Sequence, residues 1–153
     1  IIAKVLSDKG SPFLRSIIIN KGSKHKINLG MVVTDEAYLV GKVVEVNYLS
    51  SRVLLLSDLN SKIPVIVEPN TVFSILSGTG KDYGIIQYSK KNEDIKRESI
   101  IYTSGAGSLF KAGIPIGRMN INNLSDEKKV EFFSDFSQLK FVKVVSFKKS
   151  ENK

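Results

Sequence analysis

His25 is the one histidine in 153 residues, and it sits in a basic turn, Gly22-Ser23-Lys24-His25-Lys26. An imidazole suits general base work near neutral pH. A Ser-His-Asp triad is formally available because serines and aspartates are plentiful, yet such a triad is recognised by geometry and not by sequence position. A metal centre would need oxygen ligands converging on His25 from a distance, with no local cluster to signal it. Carboxylates pair at Asp35-Glu36 and Asp126-Glu127. Both pairs fall in turn-like stretches, where a solvated loop explains them more simply than an acid–base couple. The chain has no cysteine, which excludes a thiol nucleophile, a thiolate zinc site and a disulfide framework. No catalytic residue, metal or cofactor is assigned from these residues.

The densest signal is Tyr102–Arg118, where Gly105, Gly107, Gly113 and Gly117 punctuate the chain and Pro115 follows the third glycine. An internal glycine costs a helix about 1 kcal/mol and a proline about 3, so this stretch is not helical. It predicts a strand ending near Thr103, a loop through Gly107, the apolar pair Leu109-Phe110, and a strand starting near Ile114. Phosphate binding does not fit, since no Gly-Lys-Ser/Thr ending and no helical pattern follow. Ser104 lacks the glycines on either side that a nucleophile elbow requires. Leu109 and Phe110 admit two roles: anchors for a partner on an exposed loop, or a plug for the loop's own barrel.

The elements that must position these groups are strands. Short apolar or alternating runs recur at 16–20, 39–46, 52–56, 63–67, 73–79, 85–88, 99–103, 129–133 and 141–147, bounded by polar or glycine-bearing turns. Ile27 to Val33 is a further run, broken by Gly30. Arg52–Leu56 is continuous enough for a strand buried on both faces. Ile63, Val65 and Val67 share a face, and Pro64 points to a strand start or an edge. At most one helical turn fits near Asp135–Leu139. About a dozen short strands with turns between them predict an all-β fold of barrels or sandwiches. Glu68-Pro69-Asn70 reads as a domain junction, though a hairpin loop would look the same; taken as the junction, it divides the chain into 1–70 and 71–153. The final strand, 141–147, is free to pair back with the first unit.

A chain of this length buries roughly two-thirds of its unfolded surface, enough for one domain or two small ones. No apolar run approaches the 18 or so residues of a membrane span, and no signal peptide is visible. The opening Ile1-Ile2-Ala3-Lys4-Val5 reads as strand rather than as a translation start, and points to a piece of a longer chain. Net charge is +8. Apart from Lys148, Lys149 and Lys153, the basic residues are interspersed with acids, a pattern for solubility or attraction to an anionic surface and more weakly for nucleic acid. Tyr38, Tyr48, Tyr83, Tyr88 and Tyr102 offer stacking platforms, or else fill core edges. The residues by themselves lead to a basic, non-catalytic all-β binding module.

Several segments in order resemble one family. They are Ile19-Asn20-Lys21-Gly22-Ser23, Asn28-Leu29-Gly30-Met31-Val32-Val33, Leu39-Val40-Gly41-Lys42-Val43, Ser51 through Asp58, Ile63-Pro64-Val65, Gly78-Thr79-Gly80, Thr103-Ser104-Gly105 and Phe110 through Gly117. Together with Asp135-Phe136-Ser137-Gln138-Leu139 they resemble the rod shape-determining protein MreC family across nearly the whole chain. Tyr38 departs from it, standing where the family commonly has glycine.

The resemblance implies two small β-barrels, distantly like the trypsin-type fold but without its catalytic triad. It further implies a periplasmic scaffold of the cell-elongation machinery, with a membrane anchor and coiled coil upstream. Implied partners are the elongation penicillin-binding transpeptidase, MreD, indirectly MreB, and further copies of the same protein, with no nucleic acid. Two other classes stay open: a basic nucleic-acid-binding β-barrel, and a degenerate or active protease. Basic and aromatic residues clustered on one barrel face would favour the first. A histidine, carboxylate and serine in hydrogen-bonding register would favour the second.

Overall fold

Alternation of buried and exposed side chains runs through most of the strands, as a sheet closed around its own core requires. The computed structural model describes residues 1–6, 15–69, 71–86, 98–106, 111–120 and 128–146. Twelve strands lie among them, and helix is confined to short 3-10 turns such as Ser23–His25 and Phe136–Gln138.

The first barrel holds β1 (Ile2–Leu6), β2 (Ser16–Ile19), β3 (Val32–Asp35), β4 (Tyr38–Val46), β5 (Ser51–Leu55) and the last strand, β12 (Phe141–Val145). The second holds β6 (Lys62–Glu68), β7 (Val72–Gly78), β8 (Tyr83–Ile86), β9 (Glu98–Thr103), β10 (Pro115–Asn120) and β11 (Lys129–Phe132). Around the first barrel the order is β1-β12-β3-β4-β5-β2, and around the second β10-β11-β8-β7-β6-β9. Neighbouring strands pair antiparallel, so β12 fills the place between β1 and β3. Closure removes the unpaired edges that an open sheet of this size would present.

Three details differ from expectation, each for a physical reason. The change of barrel falls between β5 and β6 and not at residue 70, because Glu68-Pro69 opens the turn of the β6–β7 hairpin; turn chemistry is the same in a hairpin and in a linker. Arg52 and Leu54 are half-buried, so β5 buries one face and not two. The Arg52 guanidinium donates to Glu45 and to Ser16 Oγ, both at 3.1 Å. Pro64 lies inside a paired strand, flanked by β7 and β9, rather than at an edge.

Each barrel has its own core. Ile19, Val33, Val40, Val43 and Val53 centre the first, and Val65, Ile101, Ile116, Met119 and Val130 the second. Full burial of one such side chain stabilises by about 1.5–3 kcal/mol. Val32, Leu39 and Leu56, from the first barrel's side, join the second core, and Phe136 packs against both.

The seam between barrels is also polar. Asp58 is fully buried there. Its Oδ2 accepts the Arg15 amide and its Oδ1 the Asn60 amide, both at 2.7 Å. Arg15 in turn donates from Nη1 to the Gly80 carbonyl at 3.0 Å. Gly78 is required at this point, since a Cβ there would run into the Asp58 carbonyl oxygen. Ser134 Oγ donates to Asp35 at 3.1 Å, and the Tyr38 and Phe133 rings meet at 5.0 Å between centroids.

Candidate interaction surface

The residues best suited to chemistry are engaged in holding turns. His25 Nδ1 accepts the Gly22 amide at 3.2 Å, closing its own 3-10 turn. Asp35 serves the seam between barrels, and Asp126-Glu127 lies outside the described residues. Asp135 caps the Phe136–Gln138 turn: the Ser137 hydroxyl and amide donate to Oδ1 at 2.6 and 3.0 Å and hold its carboxyl below the ordinary value. Among the described residues no group of three His, Asp or Glu could hold a metal ion. No described helix is long and apolar enough to cross a membrane.

The tyrosines do not gather on one face either. Tyr38 stacks at the seam, Tyr48 occupies the β4–β5 turn, and Lys129 sits over the Tyr83 ring at 4.6 Å. Tyr83 and Tyr102 lie on β8 and β9, which are not neighbours in the second barrel. Tyr88 is outside the described residues.

Leu109 and Phe110 also lie outside the described residues, but the stem of their loop is well defined. Thr103, fully buried, ends β9 and ties the two sides together. Its Oγ1 donates to the Lys111 carbonyl at 2.6 Å and accepts the Ile114 amide at 2.9 Å. The Thr103 amide donates to the Ile114 carbonyl, and the Gly113 amide donates to the Thr103 carbonyl. Gly113, at φ +90°, takes the left-handed turn that lets Ile114 enter β10. The expected strand ends near Thr103 and Ile114 therefore match the structure.

The stem adjoins a row of apolar side chains. On the outer wall of the second barrel, Phe73 pairs with Ile66, Ile66 with Tyr102, and Tyr102 with Pro115, so one row of apolar side chains crosses four adjacent strands. Phe73 is 64% exposed, and the other three are half-buried. Neighbouring Ile75, opposite Pro64, widens the row. At Pro115 the row meets a groove of about 590 Å³ between the barrels, lined by Ile114, Ala37, Lys143 and Val145 among others. Ala37 and Lys143 continue into a second hollow beside Ile2 and Phe141. Phe141 is 59% exposed.

Contiguous apolar surface of this kind, rimmed by Glu68, Arg118 and Lys143, fits a protein partner better than bulk water. The loop stem was legible as a glycine-rich connection, but the row was missed. Alternation carried the signal: with Val65 and Val67 inward, Ile66 must face out, and with Val142 and Val144 inward, so must Phe141.

Comparison with known proteins agrees with this architecture. The family model described as Rod shape-determining protein MreC, barrel core, matches residues 5–146. The cell shape-determining protein MreC of Caulobacter vibrioides is 33% identical over 146 residues, covering 95% of this chain and 42% of that protein. The chain spans less than half the length of such relatives, 47% for that of Cereibacter sphaeroides. The crystal structure of MreC from Pseudomonas aeruginosa superposes with a TM-score of 0.86 at 28% identity, covering 95% of this chain and 98% of that one. The complex between Penicillin-Binding Protein (PBP2) and MreC from Helicobacter pylori contains a chain of the same fold, with TM-score 0.68, 14% identity, and coverage of 92% and 94%.

Proposed function

The chain belongs to the MreC family of rod shape-determining proteins, and from that premise we propose that it is a non-catalytic scaffold of the bacterial cell-elongation machinery. It works in the periplasm, held to the inner membrane through an upstream segment of the full-length protein. Its principal partner is an elongation penicillin-binding transpeptidase; the Helicobacter pylori MreC of the same fold stands in a complex with a penicillin-binding protein, PBP2. MreD beside it and the MreB filament across the membrane complete the assembly, with self-association in the full-length protein.

The observation that carries this reading is the apolar row Phe73–Ile66–Tyr102–Pro115, which runs to the stem of the Leu109-Phe110 loop. A few buried aromatic or aliphatic anchors carry most of the energy in such interfaces. Leu109 and Phe110 are assigned as further anchors, from the sequence.

The test is binding of the purified chain to the periplasmic part of the transpeptidase. Phe73→Ser with Tyr102→Ser should weaken binding by about 2 kcal/mol or more while the melting temperature holds. Phe110→Ala should do the same. A loss of about 3–5 kcal/mol in stability instead would make Phe110 a barrel plug. Absence of binding by the unaltered chain would defeat the reading.

A further inference from the structure

Two turns close one end of the first barrel, and together they combine lysines with protruding apolar side chains. One is the β2–β3 connection with its Ser23–His25 turn, the other the β4–β5 hairpin turn, Asn47–Ser50. The Ser23 amide donates to the Asn47 carbonyl at 2.9 Å and the Lys24 amide to the Tyr48 carbonyl at 3.0 Å. Ser51 Oγ donates to the Lys21 carbonyl at 2.7 Å. Gly22 allows the contact, because a Cβ there would strike the Asn47 carbonyl oxygen. The two turns are thus one preorganised tip.

Its side chains are of two kinds. Tyr48 is 64% exposed, Leu49 56%, and Leu29, in the turn just after, 67%. A hairpin apex is ordinarily polar, and here two adjacent large side chains stand in water between Asn47 and Ser50. Lys24 and Lys26 are exposed beside them, with Lys21 half-buried. No carboxylate occurs between Ser16 and Thr34 or between Val46 and Ser57. The nearby Glu45 is bridged to Arg52 at 3.1 Å, so it does not neutralise the lysines.

We propose that this tip docks on an anionic lipid surface. Tyr48 and Leu49 enter the headgroup layer, the phenol hydroxyl staying at the wet boundary, while Lys24 and Lys26 face lipid phosphates. The convex shape of a hairpin apex suits insertion into a yielding layer. Nucleic acid is less well matched, since Leu49 and Leu29 offer it nothing to stack on.

Co-sedimentation of the chain with phosphatidylglycerol-containing vesicles, against pure phosphatidylcholine vesicles, tests this. Binding should require the anionic lipid and weaken as salt rises. Removing Lys24 and Lys26 should cost roughly fivefold each in partitioning; Lys24→Gln with Lys26→Asn suits, because residue 26 is left-handed at φ 66° and Asn tolerates that conformation. Tyr48→Ser with Leu49→Ser should weaken binding comparably. Lys62→Gln with Lys140→Gln, an equal loss of charge elsewhere, should not. The proposal is overturned by any of four results: no binding to anionic vesicles, an equal loss in the control pair, dependence on residues after Ser146 alone, or tighter binding to a mixed-sequence oligonucleotide than to the vesicles.

Discussion

Replacing Asp58 with alanine removes a carboxylate buried where the barrels meet and leaves the Arg15 and Asn60 amides without their acceptors. Hydrogen bonds to a charged group contribute about 1.5–3 kcal/mol each. Two are lost, while the cost of keeping a carboxylate out of water is relieved, which puts the net near the lower end, about 3 kcal/mol. Single domains are stable by only about 5–15 kcal/mol in all. For a chain of this size about 1 kcal/mol shifts the melting temperature by about 2–4 °C, so the variant should melt about 6–12 °C lower. Asp58→Asn keeps one acceptor and should fall roughly midway. Thermal melts followed by circular dichroism at neutral pH give all three values. An alanine variant within about 2 °C of the parent would refute the idea that Asp58 fastens the seam.

Three further outcomes are expected. Thr103→Val keeps the shape of the buried side chain but deletes both Oγ1 hydrogen bonds across the loop stem; it should cost about 1–3 kcal/mol in a urea titration, and an unchanged midpoint would remove Thr103 from the stem's support. The Ser137 hydroxyl and amide hold the Asp135 carboxyl below its ordinary value; its stabilisation is complete above the unfolded value and lost as pH falls through the lower folded one. Asp135→Ala should therefore melt below the parent at neutral pH and converge with it in strong acid, and a gap independent of pH would contradict the cap. A serine-directed fluorophosphonate probe should leave the chain unlabelled, whereas stoichiometric labelling that vanishes in His25→Ala would show a catalytic site.

Strands were legible because their signal is local. Ile63-Pro64-Val65-Ile66-Val67 alternates in the sequence and in the barrel alike, and Phe136–Gln138 takes the single turn that Asp135 and Ser137 allow. Pairing was legible only in outline: the last strand is free, by sequence, to pair back with the first barrel, as it does, but nothing near Phe141 says that Val33 and Ala3 will be its strand's neighbours. Ile27 to Val33 shows the limit from the other side: its apolar residues suggest one strand, but Gly30 turns at φ +85° and β3 begins only at Val32. The apolar row eluded the sequence because Ile66 and Phe73, neighbours across one hairpin, meet the distant Tyr102 and Pro115 only through register.

The position of β12 has a consequence for how the chain acquires its shape. The second barrel is one unbroken stretch, β6 through β11, and can close as soon as Phe132 is available. The first barrel cannot, because β1 and β3 wait for a strand more than a hundred residues away from both. Until Phe141–Val145 arrives, their facing edges expose open rows of amides and carbonyls, the template on which strands of neighbouring chains can misassemble. Joining such distant segments is slow on the scale set by contact order. During biosynthesis the early-made half is therefore the last to be sealed, and a ribosome stalled before residue 141 would release a chain with one finished barrel and one sticky, gaping sheet.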